Sequence, residues 1–148
     1  MGEWNLSFET KALITDEGRR RTAEMWTTGK AFVITGFYLG NAGHDPLDPT
    51  TALAPDPAVT ECPAVVFGPK ATAGFTYAND YCPVWECIVE FGEGVTLFSS
   101  VCLLAQIVYS PVPADPELNS TFLFAVANFP QRPKLDTEQL IIRIGAQR

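Results

Sequence analysis

Trp4, Leu6 and Phe8 alternate with Asn5, Ser7 and Glu9, a period of two that predicts an extended segment with one apolar face, continued from Lys11 to Ile14. Two readings of residues 1–9 stand side by side. The segment is a docking arm that adds to a neighbouring subunit, or its apolar face folds back onto its own sheet. The pattern then changes: Asp16 to Thr27 reads as the one convincing helix, with Thr15 as N-cap, Asp16 and Glu17 in the first turn and Gly29 placed to end it. Ala23 and Trp26 offer this helix a narrow apolar stripe for packing on a sheet. Ala31 to Leu39 is apolar on both faces and rich in β-branched and aromatic residues, which predicts a central strand.

From Gly40 to Pro63 the periodicity disappears among Asn41, Gly43, Asp45, Pro46, Asp48, Pro49, Pro55, Asp56 and Pro57, so residues 40–63 are expected to form a long surface loop. Loops of that length are usually functional or pinned by a neighbouring chain. The second half is a run of strands. Trp85, Cys87, Val89 and Phe91 alternate with Glu86, Ile88 and Glu90, and Gly92-Glu93-Gly94 makes a turn before the apolar stretch from Val95 to Tyr109. Phe122, Phe124 and Val126 alternate in their turn, Pro130 to Pro133 reads as a turn, and Leu140, Ile142 and Ile144 close the chain. Short, turn-rich spacing favours antiparallel pairing. The expected fold is α+β, mainly β: antiparallel sheets in a sandwich-like body, with one short N-terminal helix, as a single domain over 1–148.

Composition narrows the function classes. Of 148 residues 47% are hydrophobic, as in a folded globular protein, and twelve prolines with eleven glycines suit short elements and turns. The net charge of −7 repels nucleic acid and anionic surfaces, so neither nucleic acid nor membrane is expected as a partner. Arg19, Arg20 and Arg21 fan around a helix instead of forming a phosphate-tracking stripe, and read as a solvated helix face. Residues 1–9 lack the basic and apolar regions of a secretory signal, and no run approaches the length of a membrane span. Synthesis in a cytoplasm is the expectation, and there the four cysteines, Cys62, Cys82, Cys87 and Cys102, read as buried reduced thiols. Their spacing lacks the paired units of a zinc site. In an oxidising medium, Cys82 and Cys87 are the expected disulfide pair, being five residues apart and flanked by Pro83.

Candidate chemistry is sparse. His44 is the single histidine, and no nucleophile-elbow, zincin, phosphate-loop or dinucleotide motif is present, so His44 reads as an exposed loop residue and the chain as a non-enzyme. Asp45, Asp48 and Asp56 lack the regular spacing of a calcium loop and adjoin or neighbour prolines, which is ordinary turn chemistry. No cofactor and no metal are expected. Glu86 and Glu90 would stand about 13 Å apart on one strand face, too far for a glycosidase pair. Trp4, Trp26, Trp85, Tyr38, Tyr77 and Tyr81 are read as core or interface anchors, with a sugar-stacking platform as the competing function.

Two stretches carry a family resemblance. Lys11-Ala12-Leu13-Ile14-Thr15-Asp16-Glu17-Gly18, a helix ending near Thr28-Gly29-Lys30, then Phe32 to Gly43 and Pro55-Asp56-Pro57, resembles the "LIT-x-x-G" opening, short helix, strand, "GDGNG"-like turn and "PDP" loop of the N-terminal attachment domain of phage tail-collar and tail-fibre proteins. Phe122 to Lys134 and Leu140 to Ile144 is similar to that family's "A-x-x-N-F-P-x-x-x-K" turn and closing strand. The turn lacks the family's aspartate, so no metal role carries over. The resemblance implies a structural virion protein of a bacteriophage tail, an adaptor attaching a tail fibre to the baseplate or collar. Other tail or baseplate proteins would be its partners, and a homotrimer its oligomeric state. The runner-up function is a carbohydrate-binding module for host-surface attachment. Candidate interface residues are Trp4, Leu6 and Phe8 of the arm, with Pro55, Asp56 and Pro57 of the loop.

Overall fold

The alternating N-terminal segment is a strand, and it lies inside the sheet. In the computed structural model, which describes residues 4–79 and 82–147 and the side chains among them except at 4–6, 146 and 147, the elements run β1 (Trp4–Ile14), α1 (Asp16–Thr28), β2 (Ala31–Gly40), β3 (His44–Asp45), β4 (Asp48–Ala52), β5 (Val65–Ala71), β6 (Gly74–Asn79), β7 (Cys82–Val89), β8 (Thr96–Tyr109), β9 (Thr121–Lys134) and β10 (Glu138–Gln147). Eight of the described strands form one sheet in the order β5-β2-β8-β9-β1-β10-β7-β6, and β3 pairs with β4 as a separate hairpin. No helix of the described residues is long and apolar enough to cross a membrane.

The protein is mainly β with one short helix, as the patterning predicts, but the sheet is mixed. β1 and β10 run parallel in unbroken register from Trp4↔Glu138 to Leu13↔Gln147, whereas the other pairings are antiparallel. Among the described residues β1 pairs with β9 only at Leu13 and Ile14. At that corner the sheet folds over, so that β5-β2-β8-β9 faces β1-β10-β7-β6. Side chains from strands that are not neighbours in the pairing order consequently touch, as Trp85 of β7 does with Phe124 of β9. The shared interior contains Phe37, Leu39, Phe98, Val101, Leu103, Cys87, Val89, Leu140, Ile142 and Ile144. On β7 and β10 these are the apolar members of the sequence alternation, which is what a half-buried strand requires.

The docking-arm expectation gives way at this point to its alternative. The β1 backbone is bonded to β10, and Phe8 sits edge-on to Phe129 at 5.2 Å with the Arg132 guanidinium 3.9 Å from its ring centre. The side chains of Trp4 and Leu6, named with Phe8 as interface candidates, lie outside the described residues.

Helix boundaries match the sequence reading. Thr15 is the N-cap, its Oγ1 accepting from the Gly18 N–H at 3.0 Å, and Gly29 ends the helix at φ 80°. The "LIT-x-x-G" residues also dock the helix: Thr15 donates from its backbone N–H to the Phe124 carbonyl at 2.9 Å and from Oγ1 to the Leu123 carbonyl at 2.7 Å. Gly18 allows that approach, since a Cβ there would stand 2.6 Å from the Phe124 carbonyl oxygen. The buried face is not the expected one. Trp26 is 76% exposed and Ala23 is exposed, while Arg21 of the supposed solvated run is buried. Ion pairs to Glu17, Glu24 and Glu117 neutralise its guanidinium, and the aliphatic stem can then pack inward.

β9 continues through Pro130 to Lys134, where the sequence suggested a turn. Pro130 falls where the β8–β9 register shifts, between the Phe98↔Arg132 and Ser100↔Asn128 pairs, and β1 is paired with β9 only at Ala125 and Val126, so no pairing among the described residues needs the missing proline N–H. Residues 40–63 include the β3–β4 hairpin and are held by their own chain. The Gly43 N–H donates to Ser99 Oγ at 2.8 Å, and Asn128 Nδ2 donates to the Leu53 carbonyl at 3.1 Å. Cys62 is disulfide-bonded to Cys102 of β8, with 5.9 Å between the Cα atoms. This loop covers the outer face of β8 and β9, which explains why every residue from Phe98 to Leu103 is buried.

The reading of four buried reduced thiols is thereby corrected for Cys62 and Cys102, while Cys87 is a free, buried thiol and Cys82 is free and half-buried; the expected Cys82–Cys87 pair is not formed. Five steps along one extended strand separate the free pair by roughly 16 Å, against the Cα spacing of about 7 Å or less that a disulfide tolerates. An odd spacing also sends the two thiols to opposite faces.

Candidate interface

Two folded-over layers meet at an open side. β5 pairs with β2 only from Gly36 to Gly40, and β6 ends the sheet at the other extreme. Between the first half of β2 and the β6–β7 hairpin lies a cleft of about 300 Å³ lined by Phe32, Val33, Phe75, Tyr77, Trp85 and Phe124. The aromatic rings form a connected series. Phe122 contacts Phe32 at 5.1 Å, Phe32 contacts Phe124 at 5.5 Å, and Phe124 contacts Trp85 at 6.2 Å. At the rim Phe75 and Tyr77 meet edge to face at 5.8 Å, with 61% and 63% of their surfaces exposed. Alternation along β6 places both rings on one face, toward the cleft.

Chemically this apolar, aromatic lining suits binding. Gly74 to Asn79 contains no charged residue, although edge strands are commonly guarded by lysine, proline or a short length. An extended partner segment could pair with such an edge while its side chains fill the aromatic cleft. Rings exposed to this degree could equally stack on a sugar face. A second, larger groove of about 600 Å³ runs over the outer face of the β1-β10-β7-β6 layer, bordered by Glu9, Lys11, Cys82, Arg143 and Gly145. Arg143 there faces Glu86 at 3.4 Å across the β10–β7 pair.

Other residues singled out from the sequence are distributed over the body. Tyr77 and Trp85 come together in the cleft; Tyr38 lies under the 40–63 loop beside Cys62, Trp26 stands on the helix, and Tyr81 is outside the described residues. His44 is half-buried, its Nδ1 2.8 Å from Ser99 Oγ, so it anchors the loop and is not the free residue that the loop reading suggested. Each aspartate caps a turn. Asp45 accepts from the Leu47 N–H at 2.9 Å, Asp48 from the Thr50 N–H at 3.1 Å, and Asp56 from the Ala58 N–H at 2.9 Å. Hydrogen bonds from Thr50 and Thr51 hold the Asp48 carboxyl below its ordinary pKa. No three histidine, cysteine or acidic side chains among the described residues gather as metal ligands. Pro57 is turned inward by its carbonyl, which accepts the Asp16 N–H at 2.7 Å and ties the loop to the start of the helix. Pro55 and Asp56 sit on the same loop, half-buried and exposed respectively.

Phe75 was not singled out from the sequence. Gly74 to Asn79 is short, uncharged and close to Pro69 and Pro83, and only pairing with β7 makes it a strand. The chain matches no known protein-family model, no curated protein and no solved structure.

Proposed function

We propose that this chain is a structural attachment protein of a bacteriophage tail, working by contact and not by catalysis, and joining a fibre to the baseplate or collar within the virion. The observation that carries the reading is the uncharged edge strand β6, whose Phe75 and Tyr77 rings project beside an aromatic cleft in an otherwise well-packed body. Aromatic anchors beside an open backbone edge suit a protein partner that supplies an extended segment. The "LIT-x-x-G" and "N-F-P-x-x-x-K" resemblances support the same reading. They also favour a trimer, which native mass spectrometry of the purified chain tests; a stable monomer both free and on the particle would remove that part.

The main test is incorporation into particles. Phe75→Ser with Tyr77→Ser is expected to leave the melting temperature within a few degrees, because both rings are largely exposed, and to abolish incorporation. Normal incorporation of the folded double variant sinks the assignment of this surface. The same exposed rings favour one second reading, a carbohydrate-binding module. Specific sugar binding on a glycan array by the isolated protein, lost in Tyr77→Ala, would replace the first reading with the second.

A further inference from the structure

Residues 58–63 cross the outer face of β8 and β9 as a strap between two backbone anchors. At one end the Asp16 N–H donates to the Pro57 carbonyl at 2.7 Å, and at the other the Asn41 N–H donates to the Ala64 carbonyl at 3.0 Å. Within the strap Ala58, Thr60, Glu61 and Pro63 are exposed, and Val59 and Cys62 are half-buried. Val59 packs toward Cys102, Leu123 and Val126, a small apolar cluster separate from the main interior. Cys62 is bonded to Cys102, whose own surface is completely covered. Open space flanks the strap on both sides. A cavity of about 360 Å³ lies against Tyr38, Thr60, Cys62 and Leu123, and another of about 190 Å³ against Val59, Ser100 and Val126. Between its two backbone anchors the strap is therefore fastened by one covalent bond and one apolar side chain, with open space on either side.

We infer that Cys62 and Cys102 form a redox latch. Oxidised, the pair holds residues 58–63 down over the apolar strip of β8 and β9; reduced, it lets the strap lift while the double-layered body stays folded. The inference does not depend on the phage-tail reading. In closing, the two thiols lose two protons and two electrons and form one S–S bond, and a low-molecular-weight disulfide accepts both and becomes two thiols. Opening is the reverse exchange with a dithiol. The body can outlast the latch because Val101 and Leu103 point into the main interior while Cys102 points away from it. Cys87 supplies an internal reference: it is fully covered within that interior, and burial pushes its thiol up to about 12.

Alkylation of the native full chain with iodoacetamide, with and without dithiothreitol and mapped by mass spectrometry, tests the latch. Without reductant, Cys62 and Cys102 are expected to stay unmodified. With reductant, both should react roughly tenfold or more faster than Cys87, as local opening precedes global unfolding, and cleavage after Glu61 by a glutamate-specific protease should accelerate alongside. Modification of Cys62 and Cys102 without reductant overturns the proposal. So does a Cys102 that remains as protected as Cys87 after reduction, or a Cys87 that becomes reactive together with Cys102, since the bond would then support the whole body. The double variant C62S/C102S should be cleaved after Glu61 as readily as the reduced protein, and a variant as resistant as the oxidised protein also overturns the latch.

Discussion

Lys134 shows how much one residue can carry in this body. Its side chain is 1% exposed, and its Nζ donates to the carbonyls of Glu90, Glu93 and Leu135 at 3.0, 2.9 and 2.8 Å. An ammonium has three donors, so this one is fully satisfied while closing the Gly92–Gly94 turn against the end of β9. Desolvation still lowers its pKa, with the nearby carboxylates acting in the opposite direction. Lys134→Met keeps most of the volume and leaves three carbonyls without their donor. A loss of about 2–4 kcal/mol is expected in urea denaturation, and a loss below about 1 kcal/mol would mean that water replaces the ammonium. Arg132, two residues earlier, makes a different compromise: it stacks on Phe8 and Phe129 while its buried Nε lacks a hydrogen-bond partner.

Among the elements, α1 is attached to the β8–β9 connection by charge as well as by its capping threonine. Arg21 bonds Glu17, Glu24 and Glu117, and Lys30 bonds Asp115 and Glu117 at 2.8 Å each. Arg21 and then Lys30 bring the Glu117 carboxyl from an ordinary 4.5 down to about 2. Lys30, Ser110 and the Glu117 N–H hold Asp115 well below the carboxylate range. A carboxylate with a depressed folded pKa contributes stability that is complete above its unfolded value and disappears as pH falls through the folded value. The melting temperature should therefore decline as pH falls from 4.5 toward 2, and Glu117→Gln should make that decline shallower. Superimposable profiles for the two proteins would show that the network does not couple to folding.

On the scale of the whole molecule, β1 is the joint between the two layers. It pairs along its length with β10 and at its end with β9, so both halves of the sheet depend on it. Deleting residues 4–9 would remove six parallel pairings and the Phe8 contact with Phe129. The expected result is a melting temperature more than about 10 °C lower, or no cooperative transition, since each kcal/mol shifts a domain of this size by roughly 2–4 °C. A truncated protein that melts normally would return the segment to the docking-arm reading.

Local signals in the sequence determined the elements whose causes are local. The helix from Asp16 to Thr28 was legible because capping by Thr15 and the left-handed residue Gly29 act within a few positions. The inner faces of β7 and β10 were legible because alternation needs no knowledge of the partner strand. The pairing partners were decided only by the tertiary structure. The parallel match of β1 to β10 joins the two ends of the chain, and Cys62 finds Cys102 across forty residues, where spacing along the sequence is silent. Burial of Arg21 and Lys134 depended on distant carboxylates and carbonyls that make a charge tolerable inside, and Pro130 stays in a strand because it falls at the shift in the β8–β9 register. The aromatic cleft had the same origin. Phe32, Phe75, Trp85 and Phe124 are scattered in sequence, and the folding of the sheet over its β9–β1 corner brings them to one opening.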